Sequence, residues 1–186
     1  MGTDDESRLI GGIEQREIVV AEYDPAWPGR YEAHARVIRD ALGGTLLRIE
    51  HVGSTSVPGL AAKPIIDILA VVPDSADEAS YVPQLAAAGY SLRVREPDFF
   101  EHRMLRTAAR DVHLHVYSPG AAAEIGRIVA FRDRLRRSAG DRARYEAVKR
   151  RLAARSWPDM NAYADAKTEV IESIMSAAAA EAGESH

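Results

Sequence analysis

The sequence predicts one α/β (α+β) domain, a β-sheet with packed helices that ends in a helical segment. Three observations lead there. Short β-branched runs alternate with helix-period stretches over the first two thirds of the chain. Residues 64–72 are almost continuously apolar, as in a central strand covered on both faces. Residues 121–180 carry helical rather than strand patterns. With 186 residues, 46% hydrophobic and 28% charged, the chain can fill one core but hardly two. We expect a sheet core over about 17–120, a helical segment over about 121–180, and disorder at 1–15 and 181–186, which hold little to bury.

In chain order, residues 17–21 (EIVVA) suit a short strand, and DPAWP at 24–28 punctuates it. Tyr31, Ala35, Ile38 and Leu42 then recur at helical spacing, with Pro28 in the first turn and Gly43-Gly44 as the stop. Residues 45–52 alternate as a strand ending at Gly53, and residues 64–72 form the next. A helix fits 76–88, ended by Gly89, and strands fit 90–95, 103–106 and 112–117. The remainder reads as three helices, broken near 139–141 and 156–159.

Composition excludes several classes. No cysteine means no disulfide, thiolate zinc site or cysteine nucleophile. No apolar run reaches the length of a membrane span, and the acidic N-terminus has neither the basic start nor the apolar middle of a signal peptide, so a cytoplasmic protein without a membrane partner is expected. The net charge of −4 hides a basic stretch: residues 127–155 hold eleven basic residues against three acidic ones. That stretch can attract phosphates or form solvated helix faces; without interleaved aromatics it argues against a nucleic-acid partner.

The chemistry centres on Asp67, a carboxylate inside the apolar run. An unpaired charge in a covered strand costs several kcal/mol, so Asp67 requires a cation, a metal or hydrogen-bond donors. The candidates are Lys63, Glu50 and His51 through a bridging ion, or His113 and His115. The histidines of DVHLHVY are two residues apart and share one strand face, opposite Leu114 and Val116. Asp67 with His113 and His115 forms a mixed oxygen and nitrogen ligand set for magnesium, manganese or zinc, and either histidine can instead serve as a base. Ahead of Asp67 lies Gly53-Ser54-Thr55, where a glycine admits a phosphate and the amides and hydroxyls bind it. Lys63, Arg103 and Arg132 are further candidates for phosphate contacts, and Tyr145 and Lys149 share a helix face that can line the same cleft.

A Gly-Ser turn, twelve intervening residues and an Asp in the next strand resemble the arrangement of nucleotidyltransferase-fold enzymes. Those enzymes place a second carboxylate two residues on; here that position is Leu69. The run IEHVGSTSVPGLAAKPIIDI at 49–68 resembles the signature of the GrpB family, as do YDPAW at 23–27, HLHVY at 113–117, FRDRLR at 131–136, and Tyr145 with Lys149. The resemblance covers about 17–175 and implies a nucleotidyltransferase-like mixed sheet followed by helices. It also implies that such a domain can accompany dephospho-coenzyme A kinase as an accessory, so a partner enzyme is expected alongside a nucleotide or other phosphate-bearing small molecule. Three functions follow as expectations: nucleotidyl transfer from a nucleoside triphosphate with a divalent metal, non-catalytic binding of a nucleotide or coenzyme A, or metal-dependent phosphohydrolysis. In the first, Gly53 and Ser54 hold phosphates and Asp67 holds the metal.

Overall fold

A computed structural model describes residues 9, 10, 12, 18–157 and 160–183. Its centre is a five-stranded mixed sheet of β1 (Arg48–Val52), β2 (Ile66–Val71), β3 (Tyr90–Glu96), β4 (His102–Thr107) and β5 (Val112–Tyr117), in the order β1-β2-β5-β4-β3. β2 and β5 are parallel neighbours in the middle, and the other pairings are antiparallel. Burial on both faces explains the apolar run of β2: Ile66, Ile68 and Ala70 face one core, and Leu69 and Val71 the other.

The first core lies under α1 (Trp27–Leu42) and α2 (Val82–Ala87). Trp27, Tyr31, Ala35, Ile38 and Leu42 form the apolar stripe of α1 and pack with Ile66, Ile68, Leu114 and Val116. The opposite sheet face is covered by α3 (Ala122–Arg137), where Ile125 and Ile128 meet Val52, Leu69, Val71 and Tyr117. Three more helices follow: α4 (Ala139–Ala153), α5 (Met160–Asp165) and α6 (Thr168–Gly183). They enclose a third core in which Val57 and Leu60 of the β1–β2 connection meet Leu135, Tyr145, Val170 and Ile174. The helical segment is thereby fixed against the glycine turn. No helix among the described residues is long and apolar enough to cross a membrane.

Several expected elements differ. Residues 18–20 form no strand and residue 17 lies outside the described residues; Ala21 makes one antiparallel bridge to Ala62. The ladder cannot grow because its next hydrogen-bonded pair would need an N–H from Pro64, and on the other side the Leu60 N–H already bonds Val57. The helix expected over 76–88 is confined to α2 by Pro83 in its first turn, which restricts the residues before it. Among the described residues the helical segment contains four helices, not three. Its first break is at Ser138, whose side chain caps the Asp141 amide of α4, and a turn at 166–167 that no glycine or proline marks separates α5 from α6. Within the N-terminal stretch, Leu9 bridges Val94 on the β3 edge, and the Arg93 guanidinium binds the carbonyls of Ile10 and Gly12. At the other end α6 continues to Gly183, and 184–186 lie outside the described residues.

Candidate metal and phosphate site

β2 lies between β1 and β5 with Val52, Asp67 and His113 in register, and Leu69 is opposite His115. Strand alternation then puts Asp67, His113 and His115 on one face, while Leu114 and Val116 enter the first core. The Asp67 Oδ1 atom is 3.5 Å from His113 Nδ1 and 3.6 Å from His115 Nε2. One oxygen and two nitrogens thus lie within 4.8 Å of one another. α3 covers Leu69 and Val71 but leaves these three side chains 28–29% exposed, so the carboxylate is open to a ligand rather than sealed in the strand. Burial alone would raise the Asp67 carboxyl, whereas protons on the facing nitrogens of His113 and His115 would hold it below the usual carboxylate range.

Gly53 closes the site from the β1 end. Its φ of 67° and ψ of −174° fall in a region open essentially to glycine, and a Cβ there would come within 2.3 Å of Asp67 Oδ2. Turn and carboxylate are therefore in contact, as their sequence spacing suggests. Ser54–Ser56 form one tight turn, tied back by the Ser56 hydroxyl donating to the Gly53 carbonyl at 2.6 Å. The Ser54 hydroxyl hydrogen-bonds Tyr145 of α4.

Of the chain's three lysines, Lys149 lies in α4 and Lys167 between α5 and α6, while Lys63 precedes β2. Lys63 Nζ and Lys167 Nζ lie 4.3 and 4.7 Å from the Tyr163 ring centre, and Lys149 Nζ lies 4.9 Å from that of Tyr145. The Ala61 peptide is clamped by α4 on both sides: its N–H donates to Glu146 and its carbonyl accepts from Lys149 Nζ at 2.5 Å. Burial, reinforced by the Lys167 charge, lowers Lys149 to about 7, and burial lowers Lys167 as well although Asp67 opposes it. Tyr163 is held in turn by Trp157, whose indole N–H donates to the Leu152 carbonyl.

Other residues singled out in the sequence do not join this group. Thr55 is buried with its hydroxyl donated to the Ile65 carbonyl and accepting from His51 Nε2, so it offers nothing to an anion. On the opposite sheet face His51 Nε2 donates to the Thr55 hydroxyl; its ring stacks on Tyr31 at 4.6 Å, and burial lowers it to about 4. Glu50 pairs with Arg48 and Arg132. Arg103 is in register with Val116, on the face away from the histidines, and pairs with Glu78 and Glu101. Arg132 joins α3 to β1 through Glu50 and the His51 carbonyl. Lys167, Tyr163, Arg136 and His102 were not singled out. Arg136 donates twice to the Ser56 carbonyl beside the turn, and His102 stacks on both His115 and Tyr117. Only His102 had a usable signal: the short connection between β4 and β5 implies their antiparallel register, and from it His102 falls on the His115 face.

A sequence profile described as GrpB protein matches residues 17–177. A UPF0157 protein of Streptomyces coelicolor is 54% identical over 172 residues, spanning 92% of this chain and 90% of its own length. The crystal structure of the conserved protein GrpB from Enterococcus faecalis superposes with a TM-score of 0.71 at 32% identity, covering 83% of this chain and 98% of that one. A dephospho-CoA kinase of Mycolicibacterium paratuberculosis is 31% identical over 170 residues, which is 77% of this chain but 42% of the kinase.

Proposed function

Starting from the chain's membership of the GrpB family, we propose that it binds a nucleoside triphosphate with a divalent cation at Asp67 and transfers the nucleotidyl group to an acceptor. The observation that carries this reading is the contact between the Gly53 turn and Asp67, with two imidazoles facing the same carboxylate and Lys167 close enough to interact with its charge. The donor set fits a divalent ion, and two imidazole nitrogens favour manganese or zinc over magnesium. Asp67, His113 and His115 would hold that ion, which when bound supplies positive charge against the phosphate oxygens. Gly53 lets the Asp67 carboxylate lie against its backbone, and Lys63, Lys149 and Lys167 would take the charge of the leaving pyrophosphate. The acceptor hydroxyl loses its proton to water and its oxygen forms a bond to the α-phosphorus as the bond to pyrophosphate breaks.

Leu69, fully buried where a second carboxylate would complete a two-metal clamp, favours a second reading: a non-catalytic module for a nucleotide or coenzyme A, as an accessory to a partner enzyme. Calorimetry with ATP, CTP and coenzyme A, with and without Mn²⁺, combined with phosphate analysis, separates the readings. Pyrophosphate release supports transfer, orthophosphate release points to hydrolysis, and tight binding with neither supports the module. Mn²⁺ should raise the melting temperature of the wild type and not that of Asp67→Asn. A wild-type melting curve identical in EDTA and in excess Mn²⁺ would overturn the metal reading.

A further inference from the structure

His115 is the end of a chain of hydrogen bonds that starts outside the Asp67 site. Glu96 Oε2, at the end of β3, lies 2.6 Å from His102 Nδ1 on β4, and His102 Nε2 lies 3.0 Å from His115 Nδ1 on β5. The His102 ring is 7% exposed and held flat between neighbours, 4.7 Å from the Tyr117 ring and 5.2 Å from that of His115.

Counting protons along this chain gives its direction. An ionised carboxylate only accepts, so His102 Nδ1 carries the proton toward Glu96. With one proton per ring, His102 Nε2 is then an acceptor and His115 must donate from Nδ1. The remaining lone pair, on His115 Nε2, faces Asp67 Oδ1 at 3.6 Å, beyond hydrogen-bond length. Distances decide which side keeps the proton, since the contacts on the Glu96 side are real hydrogen bonds and the one to Asp67 is not. Two electron-rich atoms thus face each other across a gap of the size a cation fills.

We propose that Glu96 and His102 are positioning residues: they fix His115 as the Nδ1–H tautomer and present its Nε2 lone pair, beside Asp67, to a divalent cation. A ligating imidazole held by a carboxylate is a common support for a metal, but here a second imidazole is interposed, so the control extends across three strands. The ligand role rests on the metal reading above; the tautomer does not.

Long-range ¹H–¹⁵N spectra of the metal-free protein report the His115 tautomer, and calorimetry with Zn²⁺ or Mn²⁺ alone reports affinity. Three variants serve. His102→Phe keeps a stacking ring but removes both nitrogens, Glu96→Ala removes the acceptor, and Glu96→Gln retains an oxygen that can still accept. The wild type should show His115 protonated at Nδ1. His102→Phe and Glu96→Ala should mix the tautomers and weaken metal binding roughly 10- to 100-fold, with Glu96→Gln closer to wild type. A purely structural role would lower the melting temperature without moving the tautomer. His115 protonated at Nε2 in the wild type, or an unchanged tautomer and affinity in His102→Phe, overturns the proposal. A wild type with the Nδ1–H tautomer that takes up neither ion overturns the metal reading and the ligand role together, and supports the chain alone.

Discussion

At the scale of single residues, Gly53 and Asp67 define each other. Oδ1 of the carboxylate faces the histidines while Oδ2 lies against the glycine, so one side chain links the turn to the ligand group. Gly53→Ala should therefore do more than strain one residue. The glycine-only backbone region costs about 1–3 kcal/mol for alanine, and the new methyl must also push Asp67 off its position. We expect a loss of that order in urea unfolding, together with loss of Mn²⁺ binding by calorimetry. Binding that survives at wild-type strength would mean the contact is incidental. Asp67, His113 and His115 were legible in the sequence because period-two alternation on apolar strands is a local property. The use of Arg103 was not, because its partner Glu78 lies outside the sheet strands and meets it only in the folded chain.

Among the elements, α3 and α4 show how a basic stretch is used. Among its ten arginines, Arg127 pairs with Glu124, Arg132 with Glu50 and Asp133, Arg134 with Asp141 and Glu181, and Arg150 with Glu22 and Glu146. These pairs anchor helices to each other and to the sheet. Lys149 gives a pH signature. Its folded pKa is lowered to about 7 from an ordinary 10.5, so between those values the unfolded chain carries a proton that the folded chain does not. Stability must then rise with pH across that window, by an amount on the order of a few kcal/mol, and Lys167 contributes in the same direction. Urea unfolding from pH 7 to 10 should show the rise in the wild type and a flatter profile in Lys149→Met. Equal slopes would place Lys149 in a more hydrated setting.

Across the whole molecule, the site joins two parts of the chain. The sheet supplies the carboxylate, the imidazoles and the glycine turn, and the helical segment supplies Tyr145, Lys149, Tyr163 and Lys167. Ligand binding should couple them. In hydrogen exchange, β2 and β5, paired on both sides, should be slowest throughout, and ATP with Mn²⁺ should slow residues 53–56 and 163–168 together. Protection of the turn alone would remove the helical segment from the site.

By itself the sequence determined the sheet with its packed helices, the central strand, and the three residues now grouped around Oδ1, because alternation, β-branching and helical period act over a few neighbours. Tertiary structure alone decided that residues 18–20 remain outside the sheet, that Arg103 and Arg132 are spent on carboxylates, and that Lys167 comes close enough to Asp67 for the two charges to interact. Those outcomes depend on which backbone groups find partners and which charges meet after the chain has closed on itself, and no local pattern carries that information.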